Sequence, residues 1–103
     1  IDVTVAPAAA LNTAPLVAAG PDARVLVGTP LALDGLVTDD GLPAGGARAQ
    51  SWAPVRGPGP VSFAAPGSAA TTATFGLPGR YVIELTATDG ELVSSDTLLV
   101  DVL

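Results

Sequence analysis

From residue 80 onward, hydrophobic and polar side chains alternate almost one for one. Tyr81, Ile83, Leu85 and Ala87 fall on one side, with Val82, Glu84, Thr86 and Thr88 on the other. That is the period of a strand with one buried face, and it fixes which side turns inward. Leu98, Val100 and Val102 against Thr97, Leu99 and Asp101 repeat it. The spacing predicts strands over Arg80–Asp89 and Thr97–Leu103, joined as a hairpin through Asp89-Gly90-Glu91, a turn signal of the Asp-Gly type. Upstream, strands are predicted near Leu16–Ala19, Arg24–Val27, Leu31–Leu36, Ala47–Ala53, Val61–Phe63 and Thr71–Phe75. Gly, Pro and Asp supply the breaks between them. No window carries a sustained helical stripe. The Ala-rich Ala6–Leu11 has helical propensity but contains Pro7 and is too short to stand alone. The pattern is that of an all-β sandwich.

The two ends of the chain echo one another. Ile1-Asp2-Val3-Thr4-Val5 alternates as Leu98-Leu99-Val100-Asp101-Val102 does, and Ala/Pro-rich residues follow it before the main pattern begins at Asn12. This divides the chain into residues 1–11, a strand of a preceding repeat or a linker, and a domain over residues 12–103. Two other readings of the first residues stand beside it. They form an extra edge strand of this domain, or they are donated to the sheet of a neighbouring subunit, a known way to complete an open edge.

Composition narrows the chemistry. The chain has 103 residues, one domain of ordinary size, and 49% of them are hydrophobic, enough to bury a core. Its 12 Gly and 10 Pro fall below the roughly 25–30% that marks low-complexity disorder. Ten acidic residues face four arginines and no lysine, for a net charge of −6, which disfavours nucleic-acid binding. There is no Cys and no His, so the usual ligands of zinc, haem and iron–sulfur sites and the commonest general base are missing. No apolar run approaches the roughly 18–20 residues that cross a bilayer, so no membrane insertion is expected. The chain reads as a soluble module of something longer.

An ordered series of short motifs then becomes informative. Asn12-Thr13-Ala14-Pro15, Ala19-Gly20-Pro21-Asp22, Leu33-Asp34-Gly35 and Thr38-Asp39-Asp40-Gly41 come first. Ser51-Trp52, Gly57-Pro58-Gly59, Val61-Ser62-Phe63, Thr71–Phe75, Pro78-Gly79-Arg80-Tyr81 and Leu85–Gly90 follow. Over Asn12–Leu103 the series resembles a PKD domain, the Ig-like module named for polycystic kidney disease, in the longer subtype found in tandem in bacterial surface proteins and animal receptors. The Trp-Asp-Phe-Gly-Asp-Gly signature of the commonest subtype is absent, since Ala53-Pro54-Val55-Arg56 follows Trp52. The resemblance implies an Ig-like antiparallel β-sandwich of two sheets and about seven strands, placed outside the cell. Trp52 would then be mid-core and Tyr81 would form a tyrosine corner. A rival role for Trp52 as a sugar-stacking platform needs a row of exposed aromatics, which four aromatics in the whole chain do not supply.

The carboxylates of interest are Asp39, Asp40 and Asp89. In an Ig-like sandwich the loop after the second strand and the end of the sixth strand share a pole with the N-terminal segment, which would gather Asn12, Asp39 and Asp89. Oxygen ligands from several loops suit calcium, which takes six to eight oxygens at about 2.3–2.6 Å. Some PKD domains of secreted enzymes bind calcium at the equivalent pole, so the resemblance makes these three residues candidate metal ligands. The competing reading is that Asn and Asp before Gly are turn residues whose side chains bond nearby backbone amides. Asp34 is expected to bond backbone at a strand bend. Asp2, Asp22, Asp96 and Asp101 are expected to be solvated or to guard sheet edges. Asp89 with Glu91 as a glycosidase-like pair lacks groove aromatics, and Ser94-Ser95-Asp96 lacks a base to activate a serine.

Two functional expectations follow. The first is a non-catalytic extracellular module, a spacer or stalk repeat or a protein-interaction domain. It needs no cofactor, calcium being the one candidate, and its partners are neighbouring domains or subunits. In a fibre-forming variant, residues 1–8 insert into a neighbour's sheet. The second is an accessory module of a secreted hydrolase that engages polysaccharide or fibrous protein. An enzyme is the third and weakest class.

Overall fold

The computed structural model describes residues 13–39 and 48–103. Residues 1–12, with every reading of the N-terminal strand, and residues 40–47 lie outside the described residues. The described chain holds nine strands. They are β1 (Leu16–Ala18), β2 (Ala23–Val25), β3 (Leu31–Asp34), β4 (Leu36–Thr38), β5 (Ala49–Arg56), β6 (Val61–Phe63), β7 (Ala70–Phe75), β8 (Gly79–Thr88) and β9 (Val93–Val102).

The alternation of the last two strands determines the core. Tyr81, Ile83, Leu85 and Ala87 of β8 and Leu98, Val100 and Val102 of β9 are all buried, as the period requires. The ladder between them runs from Gly79↔Val102 to Thr88↔Val93. The final strand begins at Val93 rather than Thr97, so its polar start, Ser94-Ser95-Asp96, is already paired. The pair sits at the centre of a four-stranded sheet ordered β2-β9-β8-β5. Opposite lies a sheet ordered β3-β7-β6, and β1 pairs with β4. Leu33, Ala73 and Phe75 from the second layer meet Trp52, Tyr81 and Leu85 from the first. Full burial of each large side chain in this seam contributes about 1.5–3 kcal/mol.

The expected strand Leu31–Leu36 is broken in two. Its first half pairs with β7 and its second with β1. The break falls at Gly35, where a side chain has no room. A Cβ there would lie 2.7 Å from Leu85 Cδ2 and 2.8 Å from the Ala69 carbonyl oxygen. The Gly35 N–H donates to that same carbonyl at 3.1 Å, and the Trp52 indole donates to it at 3.1 Å from the opposite layer. One carbonyl therefore anchors both the bend and the central tryptophan. The bond expected of Asp34 at this bend is made instead by the Gly35 backbone.

The other departure is β2, which runs parallel to β9 in the register Ala23↔Val100, Arg24↔Asp101 and Val25↔Val102. Two carboxylates hold the crossover into it. Asp96 Oδ2 accepts from the Ala19 N–H at 2.8 Å, and Asp22 Oδ1 accepts from the Leu99 N–H at 3.1 Å. Asp101 accepts from Arg80 Nε at 3.0 Å. The expectation of solvated or edge-guarding charges is corrected for Asp96, whose carboxylate is taken up by a part-buried amide, while Asp22 is exposed beside the edge strand and Asp101 makes an exposed ion pair. Asp2 lies outside the described residues. The edge of β5 is guarded by backbone: Trp52 N–H donates to Pro66 O at 2.8 Å, and Pro54 removes one further donor from the strand.

Candidate functional site

The sequence directs attention to one pole. β1 begins there, β4 ends there and β5 leaves it. The β8–β9 turn closes it. An open cavity of about 320 Å³ at this pole is lined by Pro15, Val37, Asp39, Arg48, Gln50 and Thr88, and an adjoining one of about 260 Å³ by Thr13, Thr38 and Asp39. Thr13 and Pro15, the end of β4 and the end of β8 therefore meet at this pole. Asn12, the third candidate ligand, lies outside the described residues, as does Asp40.

Asp39 and Asp89 do different work at this pole. Asp39 Oδ2 accepts from Arg48 Nε at 3.0 Å, tying the last residue after β4 to the first before β5. Asp89 continues the inward series Tyr81, Ile83, Leu85, Ala87 and is fully buried. Its Oδ1 accepts from the Glu91 N–H at 2.9 Å and the Leu92 N–H at 2.8 Å, an Asx turn that closes the hairpin. Gly90 takes φ of 97° between them, a conformation that favours glycine.

Both carboxylates are engaged by donors of the protein itself. One already holds a guanidinium and the other caps two amides. No three acidic, His or Cys side chains gather among the described residues. Arg48 is the residue that sequence reasoning missed at this pole. Its only signal is scarcity, one of four arginines in a chain of ten acids, standing just across a Gly-rich loop from Asp39.

The aromatic side chains are committed to the core. Trp52 stacks on Phe63 with centroids 6.3 Å apart, and Phe75 meets Tyr81 at 4.8 Å in a tilted pair. The Tyr81 hydroxyl donates to Leu77 O at 2.7 Å and accepts from Leu77 N–H at 3.3 Å. This is the tyrosine corner expected from Pro78-Gly79-Arg80-Tyr81. Trp52, 3% exposed, offers no platform to a sugar. Asp89 and Glu91 make no acid–base pair across a groove, since the first is buried within the turn that the second helps to form.

Comparison with known proteins agrees with this architecture. The solution structure of the PKD domain from KIAA 1837 protein is similar, with 27% identity over 84% of this chain and 83% of that chain and a TM-score of 0.62. Two titin structures share the fold at lower identity. The chimeric titin Z1Z2 functionalized with a KLER exogenous peptide from decorin has 19% identity over 90% of this chain and 97% of that chain, with a TM-score of 0.57. A mutant complex of titin M10 with the obscurin-like 1 Ig domain has 20% identity over 90% of this chain and 96% of that chain, with a TM-score of 0.55. A family model described as K319L-like, PKD domain, matches residues 19–102. With its Ig-like β-sandwich, tyrosine corner and buried central tryptophan, the chain belongs to the K319L-like PKD domain family.

Proposed function

We propose that this domain is a non-catalytic, extracellular sandwich that spaces neighbouring domains and presents surfaces to protein partners. The observation that carries the reading is the use made of its polar groups. Trp52 Nε1, the Tyr81 hydroxyl, Asp89 and Asp96, the polar groups of the core and its margins, all bond to backbone. They specify the fold and are not poised toward a substrate. Membership in the PKD family supports the interaction role and the extracellular placement, and among the described residues no helix is long and apolar enough to cross a membrane.

The test is replacement of residues 13–103, within the protein that carries them, by an unrelated sandwich of equal length, and, in a second variant that keeps them, an epitope tag in the exposed β8–β9 turn. A spacer tolerates the exchange, whereas an interaction domain loses its partner. Tag recognition on intact cells is expected in either case. Recognition only after lysis would overturn the extracellular placement.

A further inference from the structure

We propose that the outer face of the β2-β9-β8-β5 sheet, at the end that carries Arg24, Arg56 and Arg80, binds a linear polysaccharide bearing carboxylates. The chain has four arginines against ten acids. Arg48 is paired at the opposite pole, and the other three lie on this one face. Arg24 and Arg80 flank Asp101 in a single row across three strands, since Asp101 pairs with both. With strands about 4.8 Å apart, the two guanidinium-bearing positions stand roughly 10 Å from each other.

Arg56 reaches the same face through an irregularity of its strand. Pro54 pairs with Ile83 and Arg56 with Val82, so Val55 is an extra residue between them. In an unbroken strand, position 56 would share the parity of Trp52 and Pro54 and point toward the core. The bulge moves it to the parity of Val82 and Glu84, the outward side. Bulges re-aim side chains in this way and are over-represented beside functional sites. Arg24, Arg56 and Arg80 are all exposed. Neither Arg24 nor Arg56 has an ion-pair partner among the described residues.

The surroundings favour a polysaccharide over an acidic protein. Protein-interface hot spots are enriched in Trp, Tyr and Arg seated in desolvated pockets, whereas the three arginines here stand exposed on an open sheet. This face carries no aromatic side chain, and Val82 and Leu99 are half-buried in the sheet. Hydroxyl-bearing residues continue it instead, Thr97 beside Glu84 and then Ser95 beside Thr86 in the next rows. Guanidinium forks match carboxylates, and the remaining hydroxyls and carboxylates match sugar hydroxyls. Two acids share this face, Asp101, which pairs with Arg80, and Glu84, so its guanidinium groups outnumber its carboxylates by one.

The test is a ¹⁵N-edited NMR titration of the whole chain with a short oligogalacturonate. Its fully methyl-esterified form and poly-L-glutamate serve as comparison probes. Amide shifts are expected around Arg24, Val82 and Asp101 with the oligogalacturonate alone, and weaker as salt rises. R24Q, R56Q and R80Q each reduce affinity roughly threefold to fivefold, the range of a surface charge pair, while R48Q does not change it. Unperturbed spectra of the variants away from the substituted residues report that each stays folded. Three results would overturn the proposal: no shifts at this face, equal binding of the esterified form, or equal or tighter binding of poly-L-glutamate.

Discussion

Asp89 makes the turn bonds that one of its two readings expected. It is an acid at a core position, kept there because one carboxylate oxygen satisfies two amides of a tight turn. Substitution by Ala leaves both donors without this acceptor, and D89A is expected to lose about 2–3 kcal/mol in urea unfolding. D89N retains a carbonyl oxygen in the same place and should recover most of that loss. Because Asp39 is held by Arg48 and Asp89 by the turn, the midpoint of thermal unfolding is expected to be equal in millimolar calcium and in EDTA. A calcium-dependent rise that vanishes in both D39A and D89A would reinstate them as ligands, since a ligand that binds only the native state must raise its stability. Tyr81 offers a second measure of the same principle. Y81F keeps the ring in its pocket but removes the corner bonds to Leu77, and is expected to lose about 1 kcal/mol.

Among the elements, what could be read in advance is what period two encodes. The inward faces of β8 and β9 follow from alternation alone, and every inward position read there is buried. The break at Gly35 could not be read in that way. An interior glycine in a strand pattern signals a bulge, a bend or a close approach alike, and only the Leu85 methyl and the Ala69 carbonyl on either side decide among them. G35A is expected to cost about 1–3 kcal/mol, measured by urea unfolding, because backbone must yield on one side. Strand β2 was legible as a strand but not as a parallel partner of β9. Three residues carry almost no period, and the carboxylate contacts that hold the crossover join positions 77 residues apart. The pole was legible through the resemblance rather than through period, since the strand order of an Ig-like sandwich sends those ends to one place. The Asp39–Arg48 pair was not, because a loop separates its members. Hydrogen exchange tests the crossover: D96A should speed exchange of the Ala19 amide, and D22A that of the Leu99 amide, by about fivefold each.

For the whole molecule, the direction of β2 has a consequence beyond stability. The chain enters beside Thr13 at the pole that Asp39 and Thr88 share, and leaves at Leu103 beside Val25, beyond the far ends of β2 and β9. Tension applied to these two ends therefore acts along β2 and β9 in opposite senses. Hydrogen bonds loaded in this shear geometry must fail together, whereas those of a hairpin pulled from its open end fail one at a time. Asp22 and Asp96 add two side-chain bonds to the group that shares the load. In single-molecule pulling, the unfolding force of D22A/D96A is expected to fall well below that of the parent. D101A, which removes only the exposed pair with Arg80, should leave it nearly unchanged. A row of such domains would give little under a steady pull, because each yields only when its whole first ladder yields.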